Sequence, residues 1–167
     1  MARLRCAVLI AMVMFVANPT AHVFAQIDEK SAVEATVRAF EQATQEFDFG
    51  KANSLLTPDA RWIEEDSSPA PANEWSQWWQ DAKAARVRMT NRPHDFEIHI
   101  HGEVAWVTVF VDTTIKVDND AARALTKYNH PNEREWATHA VETEVLLKTP
   151  HGWTIVLGHT SILPKER

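Results

Sequence analysis

The spacing of apolar residues changes along this chain, from a helical period in the first half to a period of two in the second. In three early segments apolar side chains recur every three or four positions with charged residues between them, as in amphipathic helices. Later, apolar and polar positions alternate, which predicts strands. The predicted helices cover residues 28–47, 51–56 and 74–88, and the predicted strands cover 60–64, 96–100, 104–117, 134–148 and 152–162.

Polar segments separate these elements. Residues 66–72 are rich in Ser and Pro, and residues 118–132 open with Asp and Asn, so both segments predict loops. Helices that precede a series of long strands indicate an α+β protein, with the helices packed on one face of a curved antiparallel sheet. The chain of 167 residues contains no repeat and no internal linker, and it predicts a single domain.

The first 25 residues have the pattern of a secretory signal peptide. Arg3 and Arg5 precede an apolar run at 6–17, and small residues end at Ala25, where we expect cleavage; Ala21 is the weaker site. The apolar run is too short to cross a bilayer. A buried N-terminal helix is the alternative interpretation of this segment. The sequence therefore predicts a signal peptide at 1–25, a mature domain at 26–167 and a secreted or periplasmic location.

Removal of that segment changes the composition. The predicted signal peptide contains Cys6, the one cysteine of the chain, so the mature domain can form no disulfide within itself. It also takes two of the 17 basic residues and none of the 23 acidic ones, which leaves a net charge of −8. We expect such an acidic domain to bind neither nucleic acid nor, after signal cleavage, a membrane. All seven tryptophans remain, and they suggest aromatic walls around a ligand as well as core packing.

The last predicted strand places polar groups at the end of an apolar face. By alternation, one face carries Trp153, Ile155, Leu157, His159 and Ser161. Such a surface is typical of a small-molecule pocket. The run resembles the closing strand of SnoaL-like families in the nuclear transport factor 2-like superfamily. The order of helices and strands is similar too, which implies a cone-shaped fold with three N-terminal helices packed on a curved antiparallel sheet.

A closer resemblance is to the ketosteroid isomerases of that superfamily. Residues 59–64, Asp-Ala-Arg-Trp-Ile-Glu, resemble the Asp-Ala-x-x-x-Asp stretch that ends in the catalytic base, and this implies Glu64 as the base. By offset, the oxyanion-hole tyrosine of that family falls on Phe40 and its protonated aspartate on Glu144. Phe40 cannot donate a hydrogen bond, so steroid isomerisation by that mechanism is not expected.

The strand faces around these residues favour a polar patch inside the cone. Glu64 shares a face with Trp62, and Glu142 and Glu144 share a strand face that is otherwise suited to a core. The alternatives are an exposed acidic rim at Glu64 and a solvated strand face at the two other glutamates. His159 could act as an acid or base, or could only hydrogen-bond a glutamate on the neighbouring strand. Either interpretation places it near Glu144.

Neither a metal nor a cofactor is expected. His99 and His101 are two apart and could together bind a metal, but no third ligand is evident and an exposed edge strand explains them better. The sequence also lacks a Gly-rich phosphate loop and a nucleophile elbow. In the third predicted helix Trp75 and Trp79 share a face that would cap the apolar interior, and we expect Trp79 to face a ligand.

Two functions remain as hypotheses. One is a binding module for a small apolar or aromatic molecule, whose ligand-binding residues would be Phe40, Trp62, Trp79, Glu142 and Ser161. The other is a cofactor-free isomerase, dehydratase or cyclase, whose general base would be Glu64 and whose acid would be Glu144 or His159.

The expected assembly is a homodimer. Residues 104–111 are apolar on both faces of their predicted strand, but one layer of helices covers only one face of a sheet. The outer face must therefore meet something apolar. Dimerisation through that face is common in the superfamily that the sequence resembles.

Overall fold

The computed structural model describes residues 19–64, 70–71, 76–126 and 133–164, and side chains from residue 28 onward except those of 70 and 76. Four helices and six strands lie in these ranges. In chain order they are α1 (Pro19–Gln45), α2 (Phe49–Ser54), β1 (Leu56–Ile63), β2 (Ala70–Pro71), α3 (Ser76–Ala84), β3 (Arg88–His101), β4 (Val104–Lys116), α4 (Asp120–Thr126), β5 (Glu135–Thr149) and β6 (Gly152–Ile162).

All six strands belong to one sheet, in the order β2-β1-β6-β5-β4-β3. The four long strands pair antiparallel, whereas β1 lies parallel to β6. A glycine with positive φ turns each of the two hairpins between long strands, Gly102 (φ 61°) and Gly152 (φ 115°). The predicted α+β class is confirmed, and the parallel β1–β6 pair is the one departure from a wholly antiparallel sheet among the described strands.

Helix α1 packs along one face of the sheet, the inner face, where it contacts β3 and β6. Its apolar stripe is the predicted one, because Val33, Val37 and Phe40 are all at most 2 % exposed. Phe47, predicted to end the stripe, is also buried but lies two residues beyond the end of the helix. Alternate residues of β4 contribute valines to the same core. Full burial of a side chain of this size stabilises the fold by about 1.5–3 kcal/mol, so this apolar layer holds the helix against the sheet.

Side-chain caps position the short helices. Asp48 accepts a hydrogen bond from the backbone N–H of Lys51 at 3.0 Å, at the start of α2. Asn119 accepts one from the N–H of Ala122 at 2.9 Å and so begins α4. Asn119 also donates to the carbonyl of Ala85 at 2.8 Å. The prediction of an unbroken loop at 118–132 is therefore wrong in its first part, because this cap nucleates a helix there.

Strand β3 extends well beyond the predicted element. The sequence predicts a helix to residue 88 and a strand at 96–100, whereas α3 ends at Ala84 and β3 spans Arg88–His101. With 14 residues, the strand is more than twice as long as a typical strand of about 5–6 residues. Its first half lacks the clean alternation of apolar and polar residues on which the prediction depends.

A β-bulge interrupts β3. From His94 to Glu97 the strand advances three residues while its partner β4 advances two. Asp95, inside the bulge, has a positive φ of 53°, a conformation that Asp tolerates better than most residues. The bulge changes which side chains face outward on either side of it.

A second bulge, in β6, reverses a predicted strand face. On β5, Val145 and Leu146 are consecutive, but they pair with Leu157 and Ile155 of β6. The strand β6 thus carries one extra residue, Val156, at this point. Because the side chains of a strand alternate, one extra residue transfers all later side chains to the opposite faces.

Beyond this bulge the inner face carries Gly158 and Thr160, and the outer face carries His159 and Ser161. The prediction that one face runs from Trp153 to Ser161 is therefore wrong. The buried residue Trp153 precedes the bulge, and the polar pair follows it.

The N-terminal prediction stays a prediction. Residues 1–18 lie outside the described residues, and α1 extends from Pro19 across the expected cleavage site after Ala25. Among the described helices, none combines the length and the apolar character needed to cross a membrane.

Candidate functional site

A cavity of about 550 Å³ lies between the inner face of the sheet and helices α1, α3 and α4. This volume is within the usual range for small-molecule sites. Its aromatic lining residues are Phe40, Trp62, Trp78, Trp79 and Trp136. Its deeper polar lining residues are Glu41, Asn91, Thr113, Glu142 and Thr160. The cavity, called the inner pocket below, is thus an aromatic enclosure with a small set of polar groups.

Stacked rings form one wall of the inner pocket. Phe40 and Trp62 lie with ring centroids 5.1 Å apart and planes at 25°. Trp62 can lie flat on β6 because Gly158 is beneath it, where an added Cβ would be 2.2 Å from the indole ring. Trp79 packs edge-on against Phe47, at 6.4 Å and 83°. Such aromatic pairs fix the shape of the pocket wall as well as burying area.

Three buried carboxyl groups meet at the polar end of the pocket. Glu41 of α1 is 4 % exposed, and Glu142 and Glu144 of β5 are 8 % and 0 % exposed. One carboxylate oxygen from each can be chosen so that all three lie within 4.8 Å of one another. Buried acidic side chains are rare unless they are paired, so this cluster needs a physical explanation.

Hydrogen bonds connect two of these carboxyls to the pocket wall. The indole N–H of Trp62 donates to Thr160 Oγ1 at 3.0 Å, and the Thr160 hydroxyl donates to Glu142 Oε1 at 3.3 Å. On the other side, the Asn91 amide donates to Glu41 Oε2 at 2.9 Å. These contacts hold both carboxyls in place at the edge of the cavity.

The protein raises the pKa of all three carboxyls. Burial raises the pKa of Glu142 to about 7, although hydrogen bonding to Glu41 and Thr160 opposes the change. Burial, together with the negative charges of Glu142 and Glu144, raises the pKa of Glu41 well above its ordinary value. Burial, followed by the charge of Glu142, does the same for the pKa of Glu144. No described lining residue is basic, so protonation is the means by which the cluster limits its charge.

Glu144 lies behind the other two carboxyls. It is not among the described lining residues, and neither of its oxygens has a hydrogen-bond partner among the described residues. Glu142 Oε2 also lacks such a partner, and unlike Glu144 it belongs to a residue that lines the pocket. Of the three carboxyl residues, Glu41 and Glu142 are therefore the two that line the cavity.

The structure brings together most of the predicted ligand-binding residues. Phe40, Trp62, Trp79 and Glu142 line the inner pocket, and Glu142 and Glu144 share the inner face of β5 as predicted. Trp75 and the acidic residues 65–66 lie outside the described residues.

The predicted catalytic residues are dispersed. Glu64 follows the end of β1 and lines the pocket, but it is exposed, so it lies at the rim. His159 and Ser161 contact each other at 3.4 Å on the outer face, beside Thr143 and Val141. The expectation that His159 lies with Glu144 in the pocket is wrong, because the β6 bulge puts the two side chains on opposite faces of the sheet.

The sequence reasoning missed Glu41, Asn91 and Thr160. A signal for Glu41 was present, because it falls four residues after Val37 and so interrupts the apolar stripe of α1. A charged residue at such a position is either unpaired, and then costly, or part of a buried cluster. Thr160 had no signal, since its inward orientation depends on the bulge.

A model of the SnoaL-like domain matches residues 33–165, which include every residue of the inner pocket described above. The chain belongs to the SnoaL-like family. The sequence of this SnoaL-like domain matches no curated protein.

Solved structures share the fold of this SnoaL-like domain at low identity. A proposed scytalone dehydratase from Novosphingobium aromaticivorans is 9 % identical, with a TM-score of 0.69 over 85 % of this chain and 89 % of that one. A proposed dehydratase of the nuclear transport factor 2-like family from Streptomyces avermitilis is 18 % identical (TM-score 0.65; 81 % and 97 % covered). The CaMKII hub of S. rosetta is 18 % identical, with a TM-score of 0.61 over 80 % of this chain and 95 % of that one. These similarities establish the nuclear transport factor 2-like fold.

Proposed function

We propose that this SnoaL-like domain binds a small apolar or aromatic molecule in the inner pocket, and that Glu41 and Glu142 hydrogen-bond to a polar group of that molecule. The observation that carries the proposal is an aromatic cavity of about 550 Å³ that two buried carboxyl residues, Glu41 and Glu142, line. A protonated carboxyl donates a hydrogen bond as well as accepting one. The pKa of Glu142 is raised to about 7 and that of Glu41 is also raised well above its ordinary value, so the pair favours a proton-bearing form that can donate to a carbonyl or hydroxyl oxygen.

Calorimetric titration with a matched pair of probes tests this proposal. The probes are 2-acetylnaphthalene and 2-isopropylnaphthalene, which have similar shapes and differ in the carbonyl oxygen. Glu142→Leu should weaken binding of the ketone by about 1–3 kcal/mol relative to the hydrocarbon, the cost of losing a buried polar partner. Glu135→Leu is the control, because Glu135 is exposed at the start of the same strand. Equal effects of Glu142→Leu on both probes would mean that Glu142 does not contact the polar group.

Proton-transfer catalysis is the second candidate, as a cofactor-free isomerase, dehydratase or cyclase. The specific observation in its favour is Glu142, whose pKa of about 7 is suited to general acid–base catalysis near neutral pH. Two solved proteins with the same fold are described as proposed dehydratases. Glu142, with Glu41 as its proton-sharing neighbour, takes the role that the sequence alone would give to Glu64 with Glu144 or His159.

A comparison of two substitutions decides between these assignments. On a panel of enolisable ketones and β-hydroxyketones, Glu142→Gln should lower any rate at least about 10²-fold if Glu142 is the catalytic group. Glu64→Gln should have that effect if the rim residue is the base. Saturable binding of these compounds without turnover would exclude catalysis on them and support the binding function.

The proposed assembly and location of this domain follow from other observations. Trp106, Val104 and Leu147 on the outer face are each 37–43 % exposed, which supports a homodimer formed through that face. Secretion or a periplasmic location rests on residues 1–25 of the sequence, as before.

A further inference from the structure

Three polar side chains from three adjacent strands meet on the outer face, on the other side of the sheet from the inner pocket. They are His94 of β3, Asp112 of β4 and His139 of β5, and one ligand atom from each lies within 4.8 Å of the others. Asp112 and His139 are direct partners in the β4–β5 pairing, and His94 lies diagonally across from Asp112. Their side chains are 40–54 % exposed, so a dissolved ion can approach the group, although Asp112 and its surroundings cover His94 Nε2 itself.

The hydrogen-bond partner of His94 leaves one of its ring nitrogens as an acceptor that faces another acceptor, a carboxylate oxygen of Asp112. Its Nδ1 is 2.9 Å from Asp95 Oδ2, inside the bulge of β3. When a carboxylate accepts the Nδ1–H, the other ring nitrogen of a neutral imidazole carries a lone pair. That nitrogen, Nε2, is 3.4 Å from Asp112 Oδ2 and has no hydrogen bond among the described residues. A cation between the lone pair and the carboxylate would satisfy both.

The remaining ligand is equally well placed. His139 Nδ1 lies 2.5 Å from Asp112 Oδ1, so the carboxylate has one imidazole at each oxygen. The Phe110 ring lies nearly parallel to both imidazoles, at 6.0 Å and 20° from His94 and at 5.6 Å and 12° from His139. Carboxylates that orient a histidine through its second nitrogen are the usual surroundings of metal-binding histidines, and Asp95 is such a group.

We propose that His94, Asp112 and His139 form a site for a divalent transition-metal ion such as Zn²⁺ on the outer face of the sheet. Two imidazole nitrogens and one carboxylate are a common ligand set for such ions, and water completes the coordination. Metal–ligand distances of about 2.0–2.2 Å require ligand atoms no more than about 4.4 Å apart. The three ligand atoms, within 4.8 Å of one another, would therefore have to move slightly closer around an ion. The site lies roughly 20 Å along β4 from Trp106, six residues away, so a dimer centred on Trp106 leaves it open.

Metal titration of the full chain, purified without a polyhistidine tag and treated with chelator, tests the site. Calorimetry with Zn²⁺ should report one ion per chain, and Co²⁺ should develop the visible bands of a four-coordinate ion. Asp112→Asn and His139→Ala should each abolish these bands and weaken Zn²⁺ binding at least tenfold. Asp95→Asn, which changes only the partner of His94 Nδ1, should weaken Zn²⁺ binding about 10–100-fold, as for other outer-sphere ligand partners.

The matched control is His99→Ala. His99 is a half-exposed histidine on the same strand and face, 2.8 Å from the carboxylate of Glu97, but it belongs to no group of three potential metal ligands among the described residues. This variant should keep the stoichiometry, the Co²⁺ bands and the affinity. The proposal is overturned if Zn²⁺ binds no tighter than millimolar, if His99→Ala has the same effect as His139→Ala, or if NMR finds His94 as an imidazolium between Asp95 and Asp112 that no metal displaces. Circular dichroism of each variant verifies folding, and Asp112→Asn is the variant closest in shape to the native residue.

Discussion

The buried carboxyl cluster should make the folded protein less stable as the pH rises from 5 to 8. Glu142 has a pKa raised from the ordinary 4.5 to about 7, so between these values the folded protein keeps a proton that the unfolded chain has lost. Stability falls with pH wherever the native state binds more protons than the unfolded state. The contribution of Glu142 to the unfolding free energy is therefore fully favourable at pH values below 4.5 and is lost as the pH rises to about 7.

The expected size of the effect follows from the pKa change of Glu142. A change from 4.5 to about 7 corresponds to about 3 kcal/mol, of which roughly 2.5 kcal/mol falls between pH 5 and pH 8. The raised pKa values of Glu41 and Glu144 act in the same direction. Carboxyls with lowered pKa values, such as Glu29 and Asp112, change the unfolding free energy below pH 4.5 and not between pH 5 and pH 8.

Urea denaturation at a series of pH values measures the effect. Wild type should lose at least about 2 kcal/mol of unfolding free energy between pH 5 and pH 8. Glu142→Gln should flatten the profile, because it removes one titrating group and one charge that raises the pKa of the other two. Glu135→Gln, at an exposed position of the same strand, should leave the slope as it is in wild type. A wild-type stability that is constant or rises from pH 5 to pH 8 would refute the reasoning about the cluster.

Two further predictions concern packing and assembly. Gly158→Ala should destabilise the fold by about 1–3 kcal/mol, the usual cost of overpacking, because the new Cβ would lie 2.2 Å from the Trp62 ring. The control is Gly50→Ala, whose new Cβ would make its nearest contact at an ordinary 3.6 Å. Equal melting temperatures for the two variants would contradict this account. Light scattering of the mature protein at micromolar concentration should report a dimer that Trp106→Asp converts to a monomer, and a monomeric wild type would exclude the proposed interface.

The parts of the fold that depend on local periodicity could be predicted from the sequence. The stripe of α1 and the inward face of β5 with Glu142 and Glu144 follow from side-chain alternation within one element. Glu64 and Trp62 likewise share the predicted face of β1. The prediction succeeds here because nothing interrupts these elements between the residues concerned.

The rest depends on contacts that periodicity does not encode. Whether a glutamate on an inward face is solvated or buried is decided by a second element, here Glu41 of α1 and Asn91 of β3. The position of His94 beside Asp112 depends on the β3 bulge, and the inward position of Thr160 depends on the β6 bulge. A bulge is a single extra residue in the pairing of two strands, and the sequence of one strand does not disclose it.

The extra residue at Val156 has a consequence for how this pocket could change over evolution. The end of β6 holds two alternative sets of side chains in one stretch of sequence: Gly158 and Thr160 lie on the inner face, whereas His159 and Ser161 lie on the outer face. If the unchanged sequence paired with β5 without the bulge, the two sets would exchange faces at once, which would replace a glycine and a hydroxyl with groups that include an imidazole. In this fold the chemistry of a pocket can therefore be altered by a change in the pairing of two strands while every residue keeps its identity.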